Sequence, residues 1–453
     1  MTREATPAVL LFTRDLRLDD NPALAAAARG PVLPLFVVDP RLPAGENRRH
    51  FLAECLTDLR ESLRQRGADL LVRRGDPVHE AISLAKQIGA GAIHLAEDVS
   101  GYATRRQRRL LTAADSARLT VHLHPGITVV PAGDLVPASG DHYRVFTPYF
   151  RAWRQIRWRD PAAAPAALSL PPGAADLPRQ EPAAALGRIR ATARTLPTGG
   201  ESAAEAAFRQ FGRYAAEYPE RQDDLAADRT SRFSAYLHFG ALSARRVATS
   251  PAMPEALVRQ FCWRDFHHQV LAAFPALPWE PYRRRADTPD GVDRGGAAPA
   301  DADTLAQWRE GSTGLPIVDA GMRQLQAEGF LPNRARLITA TYLVKRLRGD
   351  WRDGAAWYDD QLVDADLANN YGNWQWVAGT GNDTRPHRGF NPLRQASRFD
   401  PAGEYVRRWL PELAEVTGPQ VHEPWRLPEP VRRGLRYPML DPATLDPATP
   451  RSR

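Results

Sequence analysis

The chain has 453 residues, 43% of them hydrophobic, and a formal net charge of +7 from 60 basic and 53 acidic side chains. This composition is typical of a folded protein rather than a disordered one, and the length predicts two domains. No apolar run approaches the ~18 residues of a membrane span, and MTREATPAVLLF does not resemble a signal peptide, so a soluble cytoplasmic protein is expected. With only Cys55 and Cys262 present, a disulfide framework and a four-thiolate metal or iron–sulfur site are excluded.

Short apolar runs alternate with helical patterns between residues 8 and 125. Helical spacing of apolar residues is found in Phe51–Arg66 and Val78–Gly89. The predicted strands are AVLLF (8–12), VLPLFVV (32–38), DLLVRR (69–74), AIHLAE (92–97) and LTVHLH (119–124). This alternation predicts an α/β domain with a doubly wound parallel sheet, placed at residues 1–130. TRDLRLDDNPAL follows the first strand in place of GxGxxG, so NAD binding is not expected.

The rest of the chain has a different pattern. Residues 131–203 are predicted to link the domains, and their Pro/Ala-rich part, from about 160, is expected to be irregular. From Ala204 to residue 453 the pattern is helical, and nine of the eleven tryptophans lie between Trp263 and Trp425. We therefore expect a large all-α second domain.

Two motifs in this helical part have both a structural and a functional interpretation. TSRFSAYLHFG (Thr230–Gly240) offers hydroxyl and backbone N–H donors suited to a phosphate, although the same residues are common helix caps. In RQFCWRDFHHQ, Trp263 and Arg264 could face a pocket, or be a core indole and an ion-paired arginine. His267 and His268 are adjacent and face different ways on a helix, so no metal site is expected.

Two later segments carry unusual composition. Leu331–Trp351 is predicted to be one basic helix, suited either to phosphate binding or to a solvated face; its cations are Arg334, Arg336, Lys345, Arg346 and Arg348. DADLANNYGNWQW (Asp364–Trp376) gathers acids, amides and indoles with almost no aliphatic residues. Because buried polar groups need partners, this run predicts recognition of a heteroaromatic ring.

Seven motifs, taken in order and spacing, resemble the photolyase/cryptochrome family. They are RDLRLDDNPAL, YRVFTPYFRAW, TSRFSAYLHFG, CWRDFHHQ, WREGSTGLPIVDAGMRQL, NRAR and DADLANNYGNWQWVAGTG. The resemblance covers nearly the whole chain and is greatest to class I-type enzymes that repair cyclobutane pyrimidine dimers. It implies an enzyme, a deoxyribodipyrimidine photolyase, with FAD in a U-shaped conformation in the helical domain, acting as a monomer on damaged DNA.

The resemblance also assigns the flavin pocket. An ion pair between Arg336 and Asp364 is expected against the isoalloxazine ring. Asn370 is expected opposite flavin N5, where a neutral amide can stabilise the reduced ring by hydrogen bonding. The other expected cofactor-binding residues are Tyr218, Thr230, Ser231, Arg232, Phe233, Ser234, Arg264 and Asp366.

For the lesion, the resemblance implies an aromatic wall of Trp263 and Trp376, which would receive a dimer flipped out of the duplex. Arg334 is expected to contact phosphate without reading sequence. The remaining lesion-pocket positions are Gln260, Asn333 and Leu337. Gln260 replaces the family's usual glutamate and Leu337 its usual methionine. Neither of the histidines that mark six-four photolyases is present, which favours cyclobutane dimers.

The electron relay and the antenna are less fully specified. Trp374 matches the relay member next to the flavin and Trp351 the middle one. The surface member has no match, because that position falls in GGAAPADAD (Gly295–Asp303). Photoreduction is therefore expected to be either impaired or rerouted through Trp308 or Trp357, with repair retained. The N-terminal sheet is expected to hold a second chromophore, either a folate or a deazaflavin, unless its pocket is empty. The alternative function is a cryptochrome, a photoreceptor without repair activity.

Overall fold

The computed structural model describes residues 6–283, 300–382 and 390–440. Its N-terminal part contains a five-stranded sheet in the order β3-β2-β1-β4-β5, with all pairings parallel. The strands are β1 (Ala8–Phe12), β2 (Val32–Val38), β3 (Leu71–Arg74), β4 (Ala92–Ala96) and β5 (Thr120–His124). The predicted doubly wound sheet is confirmed.

Among the described residues, three of the four helices of this half begin where the sequence supplies a capping side chain. Asn21, Asp76 and Ser100 each accept hydrogen bonds from backbone N–H groups in the first turn that follows. The helices are α1 (Pro22–Ala27), α2 (Glu46–Arg64), α3 (Pro77–Gln87) and α4 (Gly101–Ser116). They cover both faces of the sheet, which leaves β1, the central strand, fully buried.

The segment between the halves is mostly irregular, as expected, but it contains two helices, α5 (Phe146–Gln155) and α6 (Pro182–Leu186). α5 lies against the helical half, with the Trp153 Nε1–H donating to Asp265 Oδ2 at 2.9 Å. The exact domain boundaries at residues 130 and 203 stay a prediction.

Helices dominate the rest of the described chain. They are α7 (Glu201–Gly212), α8 (Tyr218–Arg221), α9 (Ser234–Phe239), α10 (Ala244–Thr249), α11 (Glu255–Ala273), α12 (Ala302–Glu310), α13 (Pro316–Glu328), α14 (Asn333–Thr341), α15 (Trp351–Gln361), α16 (Leu367–Ala378), α17 (Pro392–Phe399), α18 (Glu404–Trp409) and α19 (Glu429–Gly434). The predicted all-α domain is confirmed. In the described ranges, no helix has the length and apolar character needed to cross a bilayer.

The prediction of a single helix over Leu331–Trp351 is wrong. α14 ends at Thr341, a π-helical turn follows at Tyr342–Arg346, and Trp351 begins the next helix. Arg348 has a left-handed φ of 57°, and the side chain of Asp350 accepts a hydrogen bond from the Arg352 N–H, which caps α15. The basic residues of this segment therefore do not share one helical face.

One hydrophobic core extends across both halves. It joins residues of the sheet and α2, such as Phe12 and Phe51, to residues of α9 and α11, such as Tyr236 and Phe261. A second core, which includes Trp308 and Tyr405, lies within the helical half alone. The shared core fixes the sheet against the helices that carry the candidate site.

Candidate active site

A cavity of about 850 Å³ opens in the helical half. That volume is near the upper end of the range for small-molecule sites, roughly 300–1,000 Å³. Its walls contain the residues predicted for the cofactor, which are Tyr218, Thr230, Ser231, Arg232, Phe233, Ser234, Arg264, Arg336, Asp364, Asp366 and Asn370. They also contain residues predicted for the lesion and the relay, which are Gln260, Trp263, Asn333, Leu337, Trp374 and Trp376. The fold thus gathers segments that are far apart in the sequence around one space.

One wall is the turn that leads into α9. Arg232 has a left-handed φ of 51° and its guanidinium pairs with Asp228 at 2.7 Å and Glu328 at 3.1 Å. These contacts hold the turn open along the cavity. The buried Thr230 Oγ1 has no hydrogen-bond partner within the described residues. An unsatisfied buried hydroxyl on a cavity wall is suited to a polar ligand group.

A second wall carries the ion pair expected from the sequence. Arg336 on α14 contacts Asp364, just before α16, with Nη2 at 2.7 Å from Oδ2 and 3.0 Å from Oδ1. Its Nε also donates to the Leu331 carbonyl at 2.7 Å, which fixes the plane of the guanidinium. Asp364 is buried and Arg336 partly so. The pair therefore presents a fixed dipole to the cavity.

Asp366 connects the cavity to the N-terminal half. Its carboxylate caps α16 through the Asn369 N–H at 3.0 Å, pairs with Arg14 from the segment after β1, and lies 3.5 Å from His268 Nε2. Burial opposes its charge, yet His268, Arg14 and Arg264 hold the pKa of Asp366 well below its usual value. Burial also lowers the pKa of His268 to about 4. At neutral pH the positive charge beside Asp366 therefore comes from the two arginines.

Asn370 lies on α16 inside the cavity. Its Nδ2 donates to the Ala355 carbonyl at 2.9 Å, which fixes the amide plane. Across the described chain, its Oδ1 makes no hydrogen bond to protein. A carbonyl oxygen held this way can accept a hydrogen bond from a ligand N–H.

The mouth of the cavity is aromatic. The Trp263 indole stacks on Phe146 with ring centroids 3.5 Å apart, and Trp376 lies 6.0 Å from Phe390. Gln260 and Asn333 are exposed at the rim. This arrangement can receive a flat apolar group while hydrogen bonding to its edges.

Matches to known proteins follow the same division of the chain. A model of DNA photolyase matches residues 8–167, and a model of the FAD binding domain of DNA photolyase matches residues 257–442. A deoxyribodipyrimidine photo-lyase of Streptomyces griseus is 46% identical, with 98% of each chain covered. The chain belongs to the DNA photolyase family. The prediction of a photolyase-type flavoenzyme is thereby confirmed, and the helical half is its FAD-binding domain.

Other relatives show the breadth of this photolyase family. A cryptochrome DASH of Gloeobacter violaceus is 35% identical, covering 93% of this chain and 89% of its own. The crystal structure of a bacterial class III photolyase from Agrobacterium tumefaciens superimposes with a TM-score of 0.87 at 30% identity, covering 98% of this chain and 96% of that chain. The class I assignment stays a prediction.

The cavity suits FAD by its own chemistry as well. The unsatisfied Thr230 hydroxyl is appropriate for a phosphate oxygen, and the Arg336–Asp364 pair and the Asn370 carbonyl oxygen are appropriate for a ring with several donors and acceptors. Photolyase-type binding of the dinucleotide would therefore satisfy polar atoms that the protein leaves unsatisfied.

Besides Trp308 and Trp357, two predicted residues of this photolyase-family chain lie outside the cavity walls. Arg334 pairs with Asp223 at 2.7 Å, and its guanidinium stacks over Phe399 at 4.2 Å from the ring centre. Trp351 is buried in the second core, where its nearest recorded ring is Tyr371 at 6.4 Å. Arg334 and Trp351 could therefore act on a ligand in the cavity only through the residues that line it, or on groups outside the cavity.

The predicted relay has an unexpected neighbourhood. Trp374 lies 5.0 Å from Tyr358 and 6.1 Å from Trp308, as ring centroids. Trp357 is partly buried, and the Arg309 guanidinium carbon lies over its ring, 5.4 Å from the ring centre. The stretch Gly295–Asp303 stands where the family carries its surface tryptophan, and its first part, up to residue 299, lies outside the described residues.

Sequence reasoning missed several cavity residues. Arg144, Phe146 and Arg259 line the mouth, and His267 and Tyr358 line deeper walls. The YRVFTPYFRAW motif contains Arg144 and Phe146, but its resemblance to the family's N-terminal domain did not predict that they line this cavity. Arg14, which holds Asp366, was likewise quoted only as part of RDLRLDDNPAL.

Proposed function

We propose that this chain repairs cyclobutane pyrimidine dimers in DNA, using light and reduced FAD. The observation that carries the proposal is the continuity of one cavity from the Asn370 amide to the indoles of Trp263 and Trp376. A flavin beside Asn370 would then adjoin a flat lesion held between the indoles. When bound and reduced, FAD supplies the photoexcited electron that opens the dimer.

The rim residues would bind the flipped lesion. Trp263 and Trp376 offer stacking surfaces, and a dimer is flipped out at lower cost than an intact base because it stacks poorly in the duplex. Gln260 and Asn333 can donate to and accept from pyrimidine edges. Leu337 adds an apolar surface that excludes water. Arg144 and Arg259 bring positive charge to the same rim, which favours the flanking phosphates.

The deeper residues would orient the cofactor. Thr230, Ser231 and Ser234 are suited to the pyrophosphate, and Tyr218, Arg232 and Phe233 frame that end. Arg264 and Asp366 support the opposite wall, and the fixed Asn370 carbonyl oxygen can accept the N–H of a reduced ring. The Arg336–Asp364 pair would place opposite charges against the ring edge.

The choice of lesion rests on the residues at the rim. Asn333 and Leu337 stand where six-four enzymes carry histidines, so no imidazole is available there to protonate such a lesion. Gln260 favours the alternative function, a cryptochrome, because it lacks the carboxyl group expected at that position. The two functions differ in whether illumination restores thymines.

The test is direct. The purified protein, with its FAD reduced, is mixed with an oligonucleotide carrying one thymine dimer and illuminated with blue light, and restored thymines are quantified by chromatography. We expect light-dependent restoration, none in the dark, and none with a six-four oligonucleotide. Failure to restore any thymines would contradict repair and favour the cryptochrome.

A matched pair of variants tests whether the lesion binds in the cavity. Trp263→Leu should weaken dimer binding about tenfold or more, since a stacked base contributes roughly 1–3 kcal/mol. Trp279→Leu is the control, because Trp279 is 64% exposed and lies outside the cavity walls. Equal affinities for the two variants would exclude Trp263 as a stacking surface.

A further inference from the structure

Each indole at the cavity mouth is backed by a phenylalanine, and each phenylalanine by an arginine. On one side Trp263 stacks on Phe146, and the Arg259 guanidinium lies over the Phe146 ring at 5.0 Å. On the other side Trp376 lies 6.0 Å from Phe390 with the rings tilted by 33°. The Arg334 guanidinium, which is closer to Phe399, is 5.8 Å from the Phe390 ring centre. The same kinds of side chain therefore recur on two walls built from different segments, with the closer contact at Trp263.

The Phe146–Trp263 contact is unusually close. The two rings are 3.5 Å apart and within 2° of parallel. Aromatic rings normally avoid such a face-to-face arrangement because their negative faces repel. A cation close to Phe146 draws electron density away from that ring and reduces this repulsion. The Arg259 guanidinium, 5.0 Å from the Phe146 ring centre, can provide this effect.

Helix geometry explains why Phe146 contacts both of these side chains. Arg259 and Trp263 are one turn apart on α11 and so extend from the same face of that helix. Phe146, at the start of α5, packs against that face. α5 itself is held on α11 by the Trp153–Asp265 hydrogen bond, which keeps the Phe146 ring against α11.

One face of the Trp263 indole is thereby covered. The Phe266 ring meets the indole edge-on with centroids 5.7 Å apart, which limits rotation about the remaining axis. His267, one turn further along α11, also stacks on the indole, with centroids 6.0 Å apart and planes 28° from parallel. A ligand at the cavity mouth therefore meets the part of the indole that these rings leave uncovered. The closest and most nearly parallel of the contacts that set the indole plane is the one with Phe146, a residue of the segment between the domains.

We propose that Phe146 and Phe390 are positioning residues for the lesion pocket: they fix the planes of Trp263 and Trp376, so that the two indoles are ready to receive a flipped pyrimidine dimer. This inference rests on the proposed function for the identity of the ligand. The stacking contacts themselves do not depend on the proposed function. Preorganised aromatic walls raise affinity because little side-chain entropy is lost when the ligand binds.

Three substitutions test the proposal. Phe146→Leu and Phe390→Leu keep apolar volume but remove the ring. Phe150→Leu is the control one ring further from the indole: Phe150 lies one turn along α5, stacks on Phe146 at 5.7 Å and contacts the same Arg259 at 4.7 Å, but within the described residues it makes no ring contact to Trp263. For each variant we would measure FAD content, melting temperature, affinity for the thymine-dimer oligonucleotide, and repair rate at saturating oligonucleotide.

We expect Phe146→Leu to weaken dimer affinity about fivefold, the effect of losing one aromatic pair, with a smaller loss in Phe390→Leu. FAD content and the saturated repair rate should match the wild type, and Phe146→Tyr should restore affinity. A merely structural role would lower the melting temperature in Phe146→Leu and Phe150→Leu alike without a selective loss of dimer affinity. That pattern would overturn the proposal.

A second readout does not require repair. In protein labelled with 5-fluorotryptophan, the fluorine resonance of Trp263, assigned with Trp263→Phe, should be sharp and should shift and broaden in Phe146→Leu but not in Phe150→Leu. If the wild type repaired no lesion, the proposed function would fail while this experiment still measured the stack. An unchanged Trp263 resonance in Phe146→Leu would refute positioning whatever the repair assay gave.

Discussion

The polar atoms around the cavity differ in how far the protein already satisfies them. Asn370 uses its amide nitrogen on the Ala355 carbonyl and leaves its oxygen to a ligand. Arg336 is engaged with both Asp364 and a backbone carbonyl. The Thr230 hydroxyl has no partner among the described residues. Because a buried unsatisfied hydroxyl costs about 1–3 kcal/mol, a bound ligand should stabilise the turn before α9.

The surroundings of Trp374 predict the route of photoreduction. Trp308 lies 6.1 Å from Trp374 and is fully buried, so it can extend the route from Trp374 but cannot be its surface end; Tyr358 lies close to both rings. Because electron transfer slows steeply with distance, we predict that Trp308→Phe slows light-driven reduction of bound FAD severalfold. The measurement is the rate at which oxidised-flavin absorbance is lost under blue light with an added reductant.

Repair by chemically reduced enzyme should be unaffected by Trp308→Phe, since that assay supplies the electron in advance. Trp409→Phe is the control, because Trp409 is a half-buried tryptophan on α18 with no recorded contact to Trp374 in the described ranges. Normal photoreduction in a Trp308→Phe, Trp357→Phe double variant would rule out this branch and favour a route through Trp351.

At the scale of elements, the site depends on how closely α15 approaches α16. Gly354 on α15 lies against the Trp374 ring, and a Cβ there would overlap that ring and come within 2.7 Å of Leu343 Cδ2. We predict that Gly354→Ala lowers the free energy of unfolding by about 1–3 kcal/mol through overpacking. It should also reduce FAD content, since Trp374 is a cavity wall.

The control for Gly354→Ala is Gly212→Ala. Gly212 is also helical, and a Cβ there would meet no heavy atom within 4 Å. Alanine at that position should leave stability unchanged or raise it by up to about 1 kcal/mol. Denaturant unfolding and flavin absorbance measure both variants. Equal stability in the two would show that the helices can separate without cost.

The same elements show where sequence reasoning succeeds. The five strands were predicted to within two residues at each end, because each is a short apolar run bounded by turn residues. Leu331–Trp351 failed because basic and apolar residues continue through the break, and only the Gly349–Asp350 pair marks it. α5 was placed in a linker because no local pattern shows that Phe146 contacts Trp263, which lies far away in the sequence.

For the candidate site, composition predicted the recognition run Asp364–Trp376, and the resemblance supplied the other segments. What neither could supply were contacts between the halves. Leu16 N–H donates to the Phe239 carbonyl at 3.1 Å, and Arg17 Nη1 to the Gly240 carbonyl at 3.0 Å, so the segment after β1 lies directly on α9. Such contacts depend on the tertiary arrangement and leave no periodic signal.

At the scale of the whole molecule, two arginines of the N-terminal half, the partly buried Arg14 and the buried Arg48, pair with aspartates of the helical half. Arg14 pairs with Asp366, and Arg48 on α2 pairs with Asp359 on α15. Only Asp366 lines the cavity. The two pairs therefore cross the same interface, but only one of them touches the site.

This difference allows a test of how the N-terminal half supports the flavin pocket. In Arg14→Met, Asp366 keeps, among the described residues, Arg264 as its nearby permanent cation, and Arg264 is already engaged with the Ile127 carbonyl at 2.7 Å. The same variant removes the Arg14 contact to Asp98 at 3.5 Å. We predict a loss of about 2–4 kcal/mol in unfolding free energy, less than for breaking a fully buried pair because Arg14 is partly exposed, together with reduced FAD content. Because the folded pKa of Asp366 lies below its unfolded value, the stabilisation from this pair is present above that unfolded value and is lost as pH falls.

The control is Arg48→Met. It should also destabilise the fold but retain wild-type FAD content per folded molecule, because neither Arg48 nor Asp359 reaches the cavity. If both variants lost FAD equally, the pocket would depend on the interface as a whole rather than on the charge that holds Asp366.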